Sequence, residues 1–335
     1  MRATAWLTCV VCLGLLAGSG GCTADDGAFG SPQPSPTTTT GAGTAGSGGE
    51  VGGGGVGGEG GVATGGGGAG GAPPATDFTQ PGPYDVTAED GVHDVPNCGL
   101  FANMTYTLYL PAGQPAAPLV VLGHGFERSR DHMAEMAERM ASHGVRVVAF
   151  DYCHLSTFDV NHAQNAVDQV SLAAALAGGA PVIHAGYSAG GLSSLLATVA
   201  DPTAVALLAL DAVDNQALGA NAAPGVSVPT FGIAGEPSGC NNDNNGGVHL
   251  ATLVPGGTAV RAVGATHCDF EGPTNWVCTN LCGGEGQEGQ RETIRSLATA
   301  FVSWQAGVDT TGADWVSSSG ATYQALVAGG QIAAL

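Results

Sequence analysis

Residues 181–200 read PVIHAGYSAGGLSSLLATVA, and this stretch decides the fold. Pro181 to Ala185 is a short apolar run of the kind that forms a strand buried on both faces. Ala189 to Ala200 reads as a helix. Between them lies Gly186-Tyr187-Ser188-Ala189-Gly190, a G-x-S-x-G pattern. A sharp turn from strand to helix forces its serine into a strained backbone conformation, and bulky residues at the flanking positions would collide, so the glycines have a steric purpose. The pattern by itself is weak. Its place between a strand and a helix gives it weight.

The same alternation continues on both sides. Met104 to Leu110 alternates apolar and polar residues and reads as a half-exposed strand, whereas Pro118 to Leu122 and Val145 to Phe150 are continuously apolar and read as buried ones. Asp131 to His143 has helical spacing, with Met133, Met136, Ala137 and Met140 as a packing face. Asn161 to Ala177 reads as another helix. Ala204 to Leu210, Pro229 to Ala234 and Ala259 to Val263 follow as strands, the last of these closing the series, and Gln287 to Gln305 as the closing helix. Strands separated by helices imply an α/β fold, with a mostly parallel sheet and helices on both faces. In such sheets ligands bind outside the carboxyl ends of the strands.

The chemistry-bearing residues fall at those ends. A serine nucleophile needs a base, and His267 follows the last predicted strand through Gly264-Ala265-Thr266; His249 is the alternative. An acid must orient the imidazole. Asp211 terminates the apolar run Val205 to Leu210, which gives the order Ser188, Asp211, His267; Asp214, Glu236 and Asp243 stay open as alternatives. Two backbone N–H groups should face the developing negative charge: Ala189, directly after the serine, and Phe126, in the turn Leu122-Gly123-His124-Gly125-Phe126. His124 is expected to support that turn. Only a short segment separates Asp211 from Val228, so no large cap domain is expected there.

Composition sets the limits. The chain has 335 residues, eight Arg and no Lys against 28 acidic residues, and a formal net charge of −20, which argues against nucleic acid or anionic lipid surfaces as partners. Residues 1–22 read as an export signal, with Arg2 ahead of an apolar run from Ala5 to Ala17 that is too short to span a membrane. Ser19-Gly20-Gly21-Cys22 resembles a bacterial lipobox and predicts lipidation at Cys22, with plain secretion as the alternative. Residues 23–76, a Pro/Thr run followed by glycine clusters, read as a flexible tether on the order of 40 Å in reach. The catalytic domain is then residues 77–335. Its six cysteines favour three disulfides in an exported protein. We expect Cys240 with Cys268, Cys98 with Cys153, and Cys278 with Cys282. A zinc site on Cys278 and Cys282 is the alternative.

These residues resemble the α/β-hydrolase superfamily over most of Pro81 to Gln305. The likeness is closest to a lid-poor branch that holds cutinase-like polyester hydrolases, chlorophyllases and platelet-activating-factor acetylhydrolases. Gly82-Pro83-Tyr84, the His-Gly-Phe turn, the serine turn and Gly264-Ala265-Thr266-His267 carry it. Cutinase-like enzymes place their acid after the strand that here is Pro229 to Ala234, where this chain reads Gly235-Glu236-Pro237. Leu210-Asp211 instead resembles the chlorophyllase and acetylhydrolase arrangement. The assembled serine turn, His267 and oxyanion turn point to a serine hydrolase that cleaves carboxylic esters, expected to be a monomer without a cofactor, and an open site on an exported, tethered enzyme suits a lipid, an aromatic ester or a polyester end. An amidase or peptidase of the same fold, or a surface binding protein on an inactive hydrolase scaffold, are the other readings.

Overall fold

Leu119, Val120, Val121 and Leu122 are all buried, yet they serve two different cores. Side chains of a strand alternate between faces. Val120 and Leu122 join a core with Met136, Met140, Ile294, Leu297 and Phe301, whereas Leu119 and Val121 join Val148, Phe150, Leu172 and Val182. Ala204–Leu210 divides likewise: Ala206, Leu208 and Leu210 face the first core, and Leu207 and Ala209 face a third with Leu195 and Leu250. A strand that is apolar on both sides must be covered on both sides, and this dictates the layering.

The computed structural model describes residues 76–99, 101–284 and 286–335, within the unit Pro74–Leu335. The strands are β1 (Val86–His93), β2 (Met104–Pro111), β3 (Leu119–Gly123), β4 (Arg146–Phe150), β5 (Leu155–Ser156), β6 (Asp159–Val160), β7 (Val182–Tyr187), β8 (Ala204–Leu210), β9 (Thr230–Ala234), β10 (Thr258–Ala262) and β11 (Ile332–Ala334). Nine of them form one mixed sheet in the order β1-β2-β4-β3-β7-β8-β9-β10-β11, and β5 and β6 form a small hairpin. The run from β4 to β10 is parallel, with antiparallel strands at both edges. Helices α1 (Ala134–Ser142) and α7 (Glu288–Gln305) cover one face. Helices α2 (His162–Ala177), α3 (Ala189–Ala200) and α5 (Asn245–Leu253) cover the other. The remaining helices are α4 (Leu218–Ala222), α6 (Trp276–Leu281), α8 (Ala313–Val316) and α9 (Ala321–Ala328). Between Asp211 and β9 there is only α4 with a 3-10 turn at Ala223–Gly225, so the chain inserts no cap there. Among the described residues no helix is long and apolar enough to cross a membrane.

The predicted methionine face is buried as Met133, Met136 and Met140, each contributing about 1.5–3 kcal/mol. Two expectations need correcting. Ala259 to Val263 is not the last strand and Gln287 to Gln305 is not the closing helix: α8, α9 and β11 follow, with Val260 of β10 opposite Ala334. A three-residue edge strand carries no periodicity and forms only because β10 offers it an edge. The polar β1 likewise owes its form to pairing with β2.

The export signal, Cys22 and the tether up to residue 75 lie outside the described residues. Thr76, expected at the end of the tether, takes part in the fold: its hydroxyl donates to Asp309 at 2.5 Å and its carbonyl accepts from the Trp315 indole at 3.2 Å.

Three disulfides close the domain, as an oxidising compartment permits. Cys98–Cys153 pairs as expected. The other two overturn the expected Cys240–Cys268 and Cys278–Cys282, for the bonds are Cys240–Cys282 and Cys268–Cys278. Cys278 lies within α6 and Cys282 caps it, so they project side by side rather than towards each other. Each is therefore free to reach across, with Cα–Cα distances of 5.9 Å from Cys278 to Cys268 and 5.5 Å from Cys282 to Cys240.

Candidate active site

Ser188 stands at φ 56°, ψ −124°, a conformation that costs a non-glycine residue about 1–3 kcal/mol. Its surroundings enforce it. The Ser188 N–H donates to the Leu210 carbonyl at 2.9 Å, and its carbonyl accepts from Gly191 at 2.9 Å and Val213 at 3.1 Å, so the turn hangs on the end of β8. A Cβ added at Gly186 would lie 2.3 Å from the Gly190 carbonyl oxygen, and one at Gly190 would lie 2.2 Å from that of His124. Only glycine allows the turn to close that tightly.

His267 opens a 3-10 turn, His267–Phe270, whose entry is fixed by Asp269 accepting from the Thr266 N–H at 2.7 Å and its hydroxyl at 2.9 Å. Tyr187 donates its hydroxyl to the His267 carbonyl at 3.0 Å, with the two rings 4.8 Å apart. The imidazole thereby bridges two partners: Nδ1 lies 2.6 Å from Asp211 Oδ2, and Nε2 lies 2.9 Å from Ser188 Oγ. All three side chains are buried. Because the Asp211 carboxylate only accepts, Nδ1 carries the proton and Nε2 offers its lone pair to the serine hydroxyl. Asp211 itself is held in the left-handed region (φ 42°), its N–H donating to Ile233 at 2.6 Å and its Oδ1 accepting from Gly235 at 2.9 Å.

The alternatives lie elsewhere. Asp214 accepts from the Gly219 and Ala220 N–H groups at 2.7 and 3.0 Å, and His249 Nδ1 lies 3.0 Å from its Oδ2. Glu236 turns to the Gly264 N–H at 2.8 Å, and Asp243 is exposed. Cys268, Cys278 and Cys282 bring their sulfurs within 4.8 Å of one another, but each is committed to a disulfide and has no thiolate to offer a metal.

The turn after β3 lies against the serine, for a Cβ added at Gly125 would stand 3.1 Å from the Ser188 Cβ, and Phe126 follows in that turn. His124 orients it. The His124 Nδ1–H donates to the Gly125 carbonyl at 2.7 Å, and Nε2 accepts from the Tyr152 N–H at 3.1 Å. In a trans peptide the carbonyl and the following N–H point opposite ways, so holding the Gly125 oxygen towards His124 turns the Phe126 N–H outwards. Burial lowers the His124 pKa, which keeps the ring neutral and both bonds intact. Ala189, as the first residue of α3, has no intrahelical acceptor. Neither N–H has a backbone partner elsewhere among the described residues.

Several supporting residues carry no signature in the sequence. The Tyr152 hydroxyl donates to Gln169 at 2.8 Å and approaches the Gly190 carbonyl at 3.3 Å beneath the serine turn. Arg128 forms a bidentate pair with the buried Glu271, at 2.7 and 2.5 Å, tying the Phe126 turn to the His267 loop. Asn241 contacts Asp211. Only the run Asn241-Asn242-Asp243-Asn244-Asn245 was a usable signal, since Asn and Asp tolerate left-handed backbone.

No protein-family model matches the chain, and no curated protein is significantly similar to it. The geometry of the site therefore carries the functional reading.

Proposed function

We propose that this chain is a serine hydrolase of the α/β-hydrolase fold that cleaves carboxylic esters through an acyl-enzyme. The carrying observation is the unbroken chain from Ser188 Oγ to His267 Nε2 and from His267 Nδ1 to Asp211. The chain order Ser, Asp, His, the serine on a strand-to-helix turn, and a second N–H from the loop after β3 support that fold family.

Each group then has one task. Ser188 Oγ attacks the ester carbonyl carbon as its proton passes to His267 Nε2, and Asp211 stabilises the imidazolium. The oxygen that becomes negative accepts from Phe126 and Ala189. The intermediate collapses, and the alcohol leaves with the proton from Nε2. Water repeats the cycle on the acyl-enzyme and frees the acid. Exposed aromatic residues on the surrounding loops, Phe126 (42 %), Phe158 (89 %) and Trp276 (71 %), favour an apolar ester. Phe158 sits in the β5–β6 hairpin and Trp276 begins α6. The disulfides, together with the apolar N-terminal segment, support export, with Cys22 as the attachment point.

Turnover of a chromogenic short-chain ester beside the matched amide tests this reading. We expect the ester to be cleaved at least about a hundredfold faster; comparable rates would favour an amidase, and no turnover of either a binding protein. The His124 lock makes a further prediction. His124→Ala is expected to lower kcat about a hundredfold with KM nearly unchanged, because the Phe126 N–H acts on the transition state rather than on bound ester. A loss under about threefold in steady-state kinetics would show that the turn keeps its shape without the imidazole.

A further inference from the structure

Asp211 is held from a side that the triad does not use. Asn241 is 0 % exposed. Its Oδ1 accepts from the Ser238 N–H at 2.8 Å and the Asn244 N–H at 3.3 Å, and its Nδ2 donates to the Glu236 carbonyl at 2.8 Å and to both Asp211 oxygens at 3.3 and 3.2 Å. The environment fixes this orientation. Turned over, the amide would set its oxygen against three acceptors and its NH2 against two donors.

A carboxylate turns easily about its last torsion. The single bond from Gly235 to Oδ1 leaves the plane of the group free to swing, and a donor shared between both oxygens sets that plane. An amide can do this without cancelling the charge. A cation in its place would weaken the pull of Asp211 on the imidazolium.

The segment that carries Asn241 depends on outside support. Asn242, Asp243 and Asn244 have φ of 47°, 53° and 63°; Asn and Asp tolerate the left-handed region singly, but three in succession persist only with support from neighbours. Cys240, directly before Asn241, is bonded to Cys282 at the end of α6. Cys278 of the same helix is bonded to Cys268, directly after His267. One short helix thus anchors both the residue beside the base and the residue beside Asn241.

We propose that Asn241 is a positioning residue for the catalytic acid, setting the Asp211 carboxylate so that Oδ2 meets His267 Nδ1, and that α6 holds Asn241 in place through Cys240–Cys282. This rests on the reading of Ser188, His267 and Asp211 as a triad. Among the described residues the ionisable groups near Asn241 are Asp211 and, through it, His267; Glu236, whose carboxylate turns to Gly264 and lies 4.0 Å from Arg261; and Asp243, in solvent.

Asn241→Asp separates positioning from structure. It keeps the acceptor for Ser238 and Asn244 and replaces the amide donor by a carboxyl. Two carboxyls this close share one proton, so the introduced group donates to Asp211 when protonated and repels it when ionised. We expect the ratio of variant to wild-type kcat on a short-chain ester to lie within about threefold of unity at pH 5.5 and to fall at least about tenfold further by pH 9, with KM nearly constant. A ratio that stays flat with pH overturns the proposal. The double variant Cys240→Ser, Cys282→Ser leaves Asn241 itself untouched and should lower kcat severalfold at unchanged KM; an unchanged kcat overturns the part assigned to α6. The downfield proton resonance of His267 Nδ1–H gives a readout without turnover. It should shift or broaden in either variant, and an unmoved signal in both counts against the proposal. Were the wild type neither to cleave esters nor to react at Ser188 with a fluorophosphonate, the esterase reading would fail, while this resonance would still judge the role of Asn241.

Discussion

Ser188→Ala is expected to lower kcat for ester hydrolysis by about six orders of magnitude and to leave Tm within about 4 °C of the wild type. The loss is chemical. Among the described residues Ser188 Oγ hydrogen-bonds to His267 Nε2 alone, and the bonds that shape the turn run through the Ser188 backbone, which the substitution keeps. Alanine in the same strained conformation needs no more room than serine, and Gly186 and Gly190 still supply the clearance. Burst-phase kinetics with a chromogenic ester and a thermal melt together make the test. Residual turnover near the wild-type rate would remove the whole esterase reading, and a large fall in Tm with proportional loss of activity would assign Ser188 a structural role.

Asp211→Asn is expected to lower kcat by about four orders of magnitude, whereas Asp214→Asn and Glu236→Gln should each stay within about tenfold of wild type. The size follows from the partners. The Gly235 N–H is aimed at Oδ1, so an amide at this position keeps its oxygen there and sets its NH2 at the Oδ2 place, against His267 Nδ1. The ring must then accept at Nδ1 and carry its proton on Nε2, where it faces Ser188 and can take nothing from it. Asp214 caps the start of α4 and Glu236 holds the Gly264 N–H, so neutralising either alters stability more than chemistry. Kinetics of the three variants, read beside their melting temperatures, decides the assignment. A crippled Glu236→Gln with an active Asp211→Asn would transfer the acid to the neighbouring strand's loop.

Much of the layering was legible in the sequence because it depends on local patterns. Runs such as Leu119 to Leu122 and Ala204 to Leu210 are apolar on both faces, and a strand of that kind has to lie between helices. Ser188, His267 and Asp211 could be named as candidates because each follows a strand at the end where an α/β sheet gathers its chemistry. The elements the sequence hid are those without a pattern of their own. β1 is mostly exposed and β11 is three residues long, and each exists by hydrogen-bonding to a neighbour already in place.

What the sequence by itself determined is therefore the alternation of strands and helices, the glycine-flanked turn at Ser188 and the short list of partners for it. These follow from side-chain volume, polarity and backbone freedom over a few consecutive residues. Only the tertiary structure decided which acid meets His267, which cysteines join, and that Asn241 faces Asp211. Asp211, Asp214, Glu236 and Asp243 are alike as residues and differ in where their backbones aim them. Cys268 likewise joins Cys278 rather than Cys240 because the arrival of α6 brings that sulfur within bonding reach. Distances between segments far apart in the chain are set by the packing of the whole domain, and no local pattern encodes them.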